Sequence, residues 1–569
     1  SDTESHALLG DGVEVSGGRF SVLANGHSFN HAHGVAGAGG AVSAPFSASY
    51  TSTTSSTIAQ TGSRISQDQA NDPGAIDVDT LVVSAVQVAE FDSWMRNTNA
   101  SLIGASGAKT DNFARASTIA RIGDTGWIKA DAVTLDASTT LSKGAPAGLL
   151  NGSNIARPAW NVESSSGGLA DFPAAGSSTV LLANTLAEVG AGAIIEPRDP
   201  GASDPGIRID ARNIVNATDR VTMASGGAVS AASGASQITT LCPAGHDSCI
   251  EGENLDSSVR VGNDAELLSE GDISAGSRTT ANLSTQTAVD VYGLVGVAPE
   301  GSSVSVYVGS NRVEIGKATL YSGQDIQLSA GSGSTGIMNA LSASARSDVF
   351  NNTVIPVNKD PVADAFVTSN SAVTIASGAD LAAVRNIALY ADKGNASASG
   401  VGIGKDIYRE TLAAIASWFS NLFGGGDVSF ETRTGRSVVT QDSAVDIHGT
   451  VRVGVERRQR LHIGYDGSAI EQTDGISVLS SQTKGIYADI LDRIEALKAL
   501  IRDYAVDASD TSSDAAIAVA AYQSEINFLE HKLYEMGFGG NPDEPGFNSA
   551  NPRQMAEDKL EGLDAQITG

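Results

Sequence analysis

The sequence predicts a mainly β fold in which short strands stack as a solenoid. One observation is a recurring phrase: an apolar step, a Gly-Asp or Gly-Asn turn and an alternating run ending in Ala, seen as "IARIGDTGWIKADAVTLDA" at Ile119–Ala137. The other is composition, because 63 Gly and only 5% aromatic residues suit a thin apolar core repeated many times. An apolar content of 41%, spread regularly along the chain, argues against disorder.

The recurring phrase has several further copies. Close copies lie at His6–Ala24, Ser258–Ala275 and Arg312–Ala330, looser ones at Phe366–Ala391 and Ser437–Gly454, and weaker strands at Ile207–Ala235. Their period-two alternation, bounded by Gly, Asp or Asn, is typical of short half-buried strands joined by turns. Because one such unit cannot bury its own apolar face, we expect neighbouring units to stack about 4.8 Å apart. A β-sandwich is the alternative fold, and it predicts evenly spaced strands without a recurring phrase.

Glycines recur at the turn of the close copies, at Gly10, Gly123, Gly262 and Gly316. We expect a positive φ at these positions, since glycine adopts that backbone conformation at little cost.

Interruptions of the β pattern divide the chain into successive segments. The predicted segments are a solenoid at 1–400 with loop insertions at about 144–178 and 236–257, an amphipathic helical insertion at 401–426, further solenoid strands at 427–480, a coiled-coil helical hairpin at 481–540, and a linker with the start of another helix at 541–569. The inserted helix is predicted from an apolar stripe of Tyr408, Leu412, Ile415, Phe419 and Leu422. We interpret it as a cover for the side of the solenoid; a membrane-surface helix is the alternative, but its basic face is missing.

Heptad spacing predicts the coiled-coil hairpin near the C-terminus. The apolar seam positions are Tyr487, Ile490, Ile494, Leu497, Ile501 and Tyr504 in the first helix, and Val519, Tyr522, Ile526, Leu529, Leu533 and Met536 in the second. A polar loop separates the two helices, and Ser513 or Asp514 suits the N-cap of the second. Each seam is narrow and needs a partner, so we expect the two helices to pair; a dimer through the same seams is the alternative.

The two cysteines, Cys242 and Cys249, lie close together in "LCPAGHDSCI". Their separation favours a disulfide that closes a small loop, which fits an oxidising compartment. Free thiols are one alternative. A metal site that includes His246 is the other, but only three ligands are visible and a structural zinc site needs four.

The net charge of −29 limits the kinds of partner that the chain can bind. It repels nucleic-acid phosphates and anionic membranes, so we expect neither partner, and no apolar run is long enough to span a membrane. We expect no cofactor and no metal site. The weak metal candidates are His27, His31 and His33, of which the last two share a strand face, and acidic loops are the weak candidates for Ca²⁺.

In a chain with 65 acidic residues, candidate catalytic carboxylates arise readily. Asp77 and Asp79 share a strand face, Asp210 lies between Arg208 and Arg212, and Asp466 lies in a turn-like stretch. A glycoside-cleaving site on a solenoid would need such carboxylates on one exposed face beside a cation. Solvated strand faces also explain them, so the sequence predicts no catalytic residues. The basic cluster Glu456–Arg460 is interpreted as a salt-bridged surface, with docking onto an acidic neighbour as the alternative.

The repeats resemble a family of large secreted bacterial proteins. The resemblance rests on the stretches "VRVGNDAELLSEGDISAGSRTTANLS" and "VEIGKATLYSGQDIQLSAGS" and on the Ala/Gly-rich strands. The helical stretch "YQSEINFLEHKLYEMGFGG" also looks like an insert that such proteins carry. They are similar to the filamentous-haemagglutinin-like and leukotoxin-type filamentous adhesins of Gram-negative bacteria. The resemblance implies a right-handed parallel β-helix, secretion to the cell surface, and adhesion or matrix building, and it supplies no catalytic residues.

The function predicted from the sequence is that of an extracellular structural or adhesive segment of a giant bacterial surface exoprotein. It would act as a stiff rod that presents lateral contacts to other parts of the parent protein, to further copies of itself, or to surface glycans and neighbouring cells. A polysaccharide lyase or hydrolase on the same solenoid is the first alternative. A self-assembling extracellular filament subunit is the second.

Overall fold

The structure is a computed structural model that describes residues 1–63, 75–144, 159–198, 206–406 and 432–454, with parts of the interval 493–530. In these residues 23 strands form one sheet. The strands are β1 Asp2–Leu8, β2 Val15–Ser43, β3 Phe46–Gln60, β4 Ala75–Ile122, β5 Trp127–Lys143, β6 Val162–Val189, β7 Ile194–Glu196, β8 Gly206–Ser230, β9 Ser233–Thr239, β10 Leu255–Val261, β11 Glu266–Ser269, β12 Ile273–Val297, β13 Glu300–Ile315, β14 Thr319–Ser322, β15 Asp325–Ala330, β16 Ala340–Val357, β17 Val362–Ile375, β18 Asp380–Ala383, β19 Asn386–Ala391, β20 Asn395–Asp406, β21 Thr432–Thr434, β22 Arg436–Ile447 and β23 Thr450–Val453. The predicted mainly β fold is confirmed.

The strands pair with later passages of the same chain. Asp2 lies opposite Thr54, Ile76 opposite Ile128, and Ala132 opposite Gly206. These pairings are parallel, and β20 with β21 is the antiparallel exception among the described strands. We call each passage of the chain that pairs in this way with the next one a level.

Like residues stack on like residues from level to level. One ladder of register partners runs through Val15, Ile76, Ile128, Ile195, Leu267, Leu320, Leu381 and Val451. Ile76 to Val451 are buried, and all of them belong to or pack against the largest apolar cluster. Each member covers the apolar surface of the member before it, so no single level could bury this ladder alone.

The recurring phrase of the sequence forms a stack of turns. The amide of Gly262 donates to the carbonyl of Val189 at 2.8 Å, and the amide of Gly316 donates to that of Val261 at 2.8 Å. A Cβ atom added to Gly262 would lie 2.6 Å from the backbone nitrogen of Ala191. The expected positive φ at the phrase glycines is wrong: in three of the four turns it lies two residues further on, at Gly12 (67°), Thr125 (54°) and Asp264 (57°). Gly262 is therefore required for the close approach of two turns.

Each level runs outward and then back along itself. The hydroxyl of Ser93 donates to Oδ1 of Asn112 at 2.7 Å, and Nδ2 of Asn97 donates to the carbonyl of Gly107 at 2.8 Å. These bonds join the two legs of one level across its interior. The legs meet at a tip near Ile103, which is 48% exposed. A level is thus a flattened loop whose two legs share one core.

Two facing ladders of polar side chains cross this core. One contains Thr57, Thr118, Thr185, Ser257 and Asn311, and the other contains Gln87, Thr139, Asn213 and Thr279. All nine residues are buried, and they bond across the interior, for example through the 2.7 Å hydrogen bond from Thr139 to Thr118. Along β4, Val83 and Ala85 lie in one apolar cluster and Ala89 and Phe91 lie in the next. The polar ladders therefore separate two apolar clusters and fix the legs opposite each other.

A buried ion pair lies deeper in the same core. Nζ of Lys143 lies 2.9 Å from Oδ2 of Asp219, and neither side chain is exposed to solvent. The hydroxyl of Thr179 accepts a 2.8 Å hydrogen bond from Lys143 and donates one of 3.1 Å to Asp219. Ser177 donates to the other carboxylate oxygen at 2.5 Å. These bonds offset much of the desolvation of both charges.

Several predicted boundaries differ from the structure. The second part of the expected loop insertion at 144–178 is a strand, because β6 begins at Val162. Alternating small residues there fit a buried strand as readily as a loop. The insertion expected at 236–257 is confined to the residues between β9 and β10, and β20 continues to Asp406 inside the segment expected to be helical. The rest of the predicted helical insertion, and the predicted solenoid strands after 454, lie outside the described residues.

The described part of the predicted hairpin is helical at 493–494, 496–499, 501, 519, 522–527 and 529–530. The seam residues Ile494, Leu497 and Ile526 are buried, and Nε of Arg493 lies 2.8 Å from Oε1 of Glu525. Five seam residues lie outside the described residues, namely Tyr487, Ile490, Tyr504, Leu533 and Met536. The complete coiled-coil hairpin stays a prediction.

Replacing Gly262 by Ala tests the close approach of the turns. We expect Gly262→Ala to lower the free energy of unfolding by about 1–3 kcal/mol, because its methyl group would meet the backbone of Ala191. Gly176→Ala is the matched control: its added Cβ meets no heavy atom within 4 Å, and its φ is not in the left-handed region. Urea unfolding followed by circular dichroism measures both, and equal stability of the two variants would contradict the explanation.

Removing one partner of the buried ion pair should cost more than removing both charges. We expect Lys143→Met to lower the free energy of unfolding by about 3–5 kcal/mol, because Asp219 would then be a buried unpaired charge. The double variant with Asp219→Asn removes the unpaired charge and keeps one acceptor oxygen for Ser177 or Thr179, so it should recover part of that loss. Denaturant unfolding of both variants decides this, and a double variant less stable than the single one would count against it.

Candidate functional site

The three histidines considered as metal ligands lie on strand β2 and do not form a ligand cluster. His33 stacks on Trp94 with 4.6 Å between ring centroids, and His31 stacks on Phe29 at 5.2 Å. His27 is exposed. In the part of the chain that the structure describes, no group of three or more His, Cys, Asp or Glu side chains could hold a metal ion.

Cys242 and Cys249, for which the sequence favours a disulfide, are joined by one. The disulfide closes part of a loop between Leu241 and Asn254, which we call the disulfide loop; these two residues form an isolated β-bridge. The loop lies against an apolar patch on the outside of the sheet, where Phe113, Val180 and Leu182 are buried with Cys242. The imidazole of His246 stacks on the ring of Phe113 at 5.3 Å. These contacts fix the disulfide loop on the outer surface of the sheet, from which it projects as a wall.

A polar groove runs beside this wall, and we call it the loop groove. Its volume is about 650 Å³. Its floor is a ladder of register partners on five successive levels: Ser56, Ser117, Asn184, Asp256 and Ser310. Ile250, Gly252, Glu253 and Asn254 of the disulfide loop line its side. Because levels are about 4.8 Å apart, the floor repeats a polar group at intervals comparable to the length of one sugar ring.

Ion pairs hold the charged groups of the loop groove in place. Nε of Arg115 lies 2.9 Å from Oε1 of Glu253 and so ties the loop to the sheet. Arg312 lies 2.7 Å from Oδ2 of Asp256, whose Oδ1 accepts a 2.5 Å hydrogen bond from Ser310. Burial alone would lower the pKa of Arg312, but the hydrogen bond and charge of Asp256 outweigh it and raise that pKa.

The chemistry of the loop groove suits a polar, uncharged ligand. Hydroxyl, amide and carboxylate groups on its floor can donate to or accept from sugar hydroxyls. Its two arginines are already paired with carboxylates, so neither presents an unpaired charge to a ligand. The exposed side chain of Ile250, 73% accessible, adds an apolar surface at the rim.

The carboxylates considered as catalytic lie in two separate places. Asp77 and Asp79 both pair with Arg198, at 2.7 Å in the case of Asp77. Asp210 is brought next to Asp136, its register partner one level before. Asp466 and the basic cluster Glu456–Arg460 lie outside the described residues.

The second place, which we call the Asp–Arg cluster, consists of Asp136, Arg208, Asp210, Arg212 and Arg278. Arg212 lies 3.3 Å from Oδ2 of Asp136, and Arg208 lies 2.6 Å from Oδ2 of Asp210. A sharp turn after β15 lies over the cluster. The amide and hydroxyl of Ser334 in that turn donate to the two oxygens of Asp210 at 2.9 and 2.7 Å.

The pKa of Asp136 is raised by burial and, to a smaller extent, by the charge of Asp210, while Arg212 opposes the shift. The pKa of Arg278 is lowered by burial and by the charge of Arg212. Both shifts reflect charges that are crowded and partly removed from water. Asp210 is buried, and both of its carboxylate oxygens already accept hydrogen bonds from Arg208 or Ser334.

No protein-family model, curated protein or solved structure matches this chain. Among the described residues, no helix has both the length and the apolarity needed to cross a bilayer.

Sequence reasoning missed the loop groove and the partners of Asp210. The groove floor combines residues from five levels, and the offsets between levels vary from 52 residues at Asp2 and Thr54 to 74 at Ala132 and Gly206. The two cysteines of "LCPAGHDSCI" did indicate the loop that lines one side of the groove. A signal for the floor would have been the polar residue that recurs one place before each Thr, Ser or Asn of the first buried polar ladder.

Removing the disulfide should open the disulfide loop without unfolding the levels. We expect Cys242→Ser with Cys249→Ser to lower the free energy of local opening by about 2 kcal/mol. Hydrogen exchange of the Cys242 amide, bonded to the Glu253 carbonyl at 2.7 Å, should therefore speed up. The Gly262 amide, bonded to Val189, is the internal control and should not change. Equal acceleration at both amides would show that the loop is needed by the whole sheet.

Proposed function

We propose that this chain is an extracellular structural or adhesive segment of a giant bacterial surface exoprotein, and that its levels form a right-handed parallel β-helix. The observation that carries the proposal is the in-register stacking of eight successive levels, exemplified by the ladder from Val15 to Val451. Such stacking makes a stiff body whose sides can display loops and grooves. The resemblance of the repeats to filamentous adhesins and the disulfide, which suits an oxidising compartment, support a location outside the cell.

Two lateral surfaces support contact with partners. The first is the loop groove with its polar floor and anchored wall. The second is an apolar ladder at the tips of the levels, in which Val42, Ile103, Val229 and Ile355 are all exposed. A contiguous exposed apolar surface is typical of a site of association.

We propose a binding role in preference to carbohydrate cleavage. The Asp–Arg cluster is the described site that comes nearest to a pair of catalytic carboxylates. General acid–base chemistry needs a carboxylate that can reach the substrate and exchange a proton with it. The two oxygens of Asp210 instead accept hydrogen bonds from Arg208 and Ser334. This arrangement supports a structural use of the carboxylate.

Blocking the loop groove tests the adhesive role. We expect Asn184→Trp, on the exposed floor of the groove, to reduce binding of the immobilised chain to neutral surface glycans by about tenfold or more, because the indole would fill the space that the ligand needs. Asn370→Trp is the matched control on the same ladder, two levels beyond Asp256 and outside the groove lining. Glycan-array and whole-cell binding measure the effect, and equal binding by both variants would remove the groove from the proposal.

A filament subunit is the second candidate, and one observation favours it. In the described part of the chain, the 29 residues of β2 pair only with β4, so one edge of that strand carries unpaired backbone groups. Such an edge can accept another strand in parallel register. Negative-stain images of the purified chain at increasing concentration test this: fibres that lengthen with concentration support end-to-end stacking, and single bodies throughout oppose it.

A further inference from the structure

The Asp–Arg cluster carries one more positive than negative group. It contains the carboxylates of Asp136 and Asp210 and the guanidinium groups of Arg208, Arg212 and Arg278. Arg208 and Arg212 each have a carboxylate partner. Within the described residues Arg278 makes no hydrogen bond or ion pair. A local positive excess is unusual in a chain whose net charge is −29.

The position of Arg278 is built by the fold. Arg278 is the register partner of Arg212, so two guanidinium groups rise from successive levels about 4.8 Å apart. Gly333, in the turn that lies over the cluster, packs against its side chain: a Cβ added to that glycine would lie 3.1 Å from Cδ of Arg278. Gly276 must be glycine, because its Cβ would lie 2.2 Å from the backbone nitrogen of Ser334. The turn therefore covers Asp210 and leaves Arg278 half-buried beside it.

An unpaired, half-buried guanidinium next to a second one is unfavourable without an anion. Burial and the charge of Arg212 lower the pKa of Arg278, and the charges of Asp210 and Asp136 oppose that shift without cancelling it, so the charged form lacks full compensation. A carboxylate or sulfate group would supply it, since guanidinium donates two parallel hydrogen bonds to such oxyanions. The hydroxyl of Ser138 is a further polar group on this face, and it already accepts a 2.9 Å hydrogen bond from Arg212.

We propose that Arg278, with Arg212 beside it, binds the carboxylate or sulfate group of a single acidic sugar at the surface of the β-sheet. The charge of the whole chain selects this ligand class. A polyanion such as nucleic acid or a densely sulfated chain would be repelled along its whole length, whereas an otherwise neutral glycan brings a single negative charge to Arg278 and Arg212. This site is separate from the loop groove, so it does not rest on the adhesive role of that groove.

Glucuronic acid, titrated into the purified chain and followed by NMR, is the probe for this site. We expect Arg278→Gln to weaken its binding by about tenfold or more, the change expected for loss of a paired charge-assisted hydrogen bond. Arg346→Gln is the matched control: it removes the same charge from an arginine paired with Asp348 at 2.7 Å, and it should leave binding unchanged. Arg278→Lys keeps the charge without the two-pronged geometry and should bind with intermediate strength.

Three further ligands test whether the site recognises a carboxylate, a sulfate or the sugar that carries it. Glucose should not bind, and glucose 6-sulfate should compete with glucuronic acid if the site accepts either oxyanion. Acetate that binds as tightly as glucuronic acid would overturn the assignment of a sugar. Binding that is equal in the wild type, Arg278→Gln and Arg346→Gln would overturn the site itself.

The unfolding transition of each variant is measured in the same preparation; because Arg278 has no carboxylate partner among the described residues, its removal should leave stability within about 0.5 kcal/mol.

Discussion

Parallel hydrogen bonding of the chain to its own later passages is the interaction on which the whole structure depends. It places each residue over its counterpart one level before, and the apolar ladder from Val15 to Val451 and the facing polar ladders follow from that placement. A slip of one residue would turn every side chain to the opposite face. Charges enforce the same register on the outside, where Arg121 pairs with Glu188 and Arg260 pairs with Glu314 on successive levels.

The polar ladders and the buried ion pair explain how a core of small side chains stays ordered. Contacts among the Val, Ile, Leu and Ala side chains of the interior are not directional and fix the alignment of the two legs only loosely. Hydrogen bonds such as that from Thr185 to Asn213 at 2.6 Å are directional and supply that alignment. The Lys143–Asp219 pair adds a further point that is satisfied in one arrangement of the legs.

The sequence was most informative where neighbouring residues decide the outcome. The alternation around Gly123 and Gly262 predicted strands and stacked turns, and the spacing of Cys242 and Cys249 favoured the disulfide that is present. The reason for the turn glycines could not be read in this way, since it is contact with another level. The meeting of Asp136 with Asp210 was equally hidden, because the offset between their levels depends on the length of the intervening segment.

Stacking by levels also sets how the molecule responds to tension. When opposite ends of the stack are pulled apart, the backbone bonds of the outermost level take the strain first, and that level can peel away while those beneath it stay folded. Since Val15 lies opposite Ile76, one such release frees 61 residues, or roughly 200 Å of extended chain. A body of this design lengthens in discrete steps and dissipates work at each one.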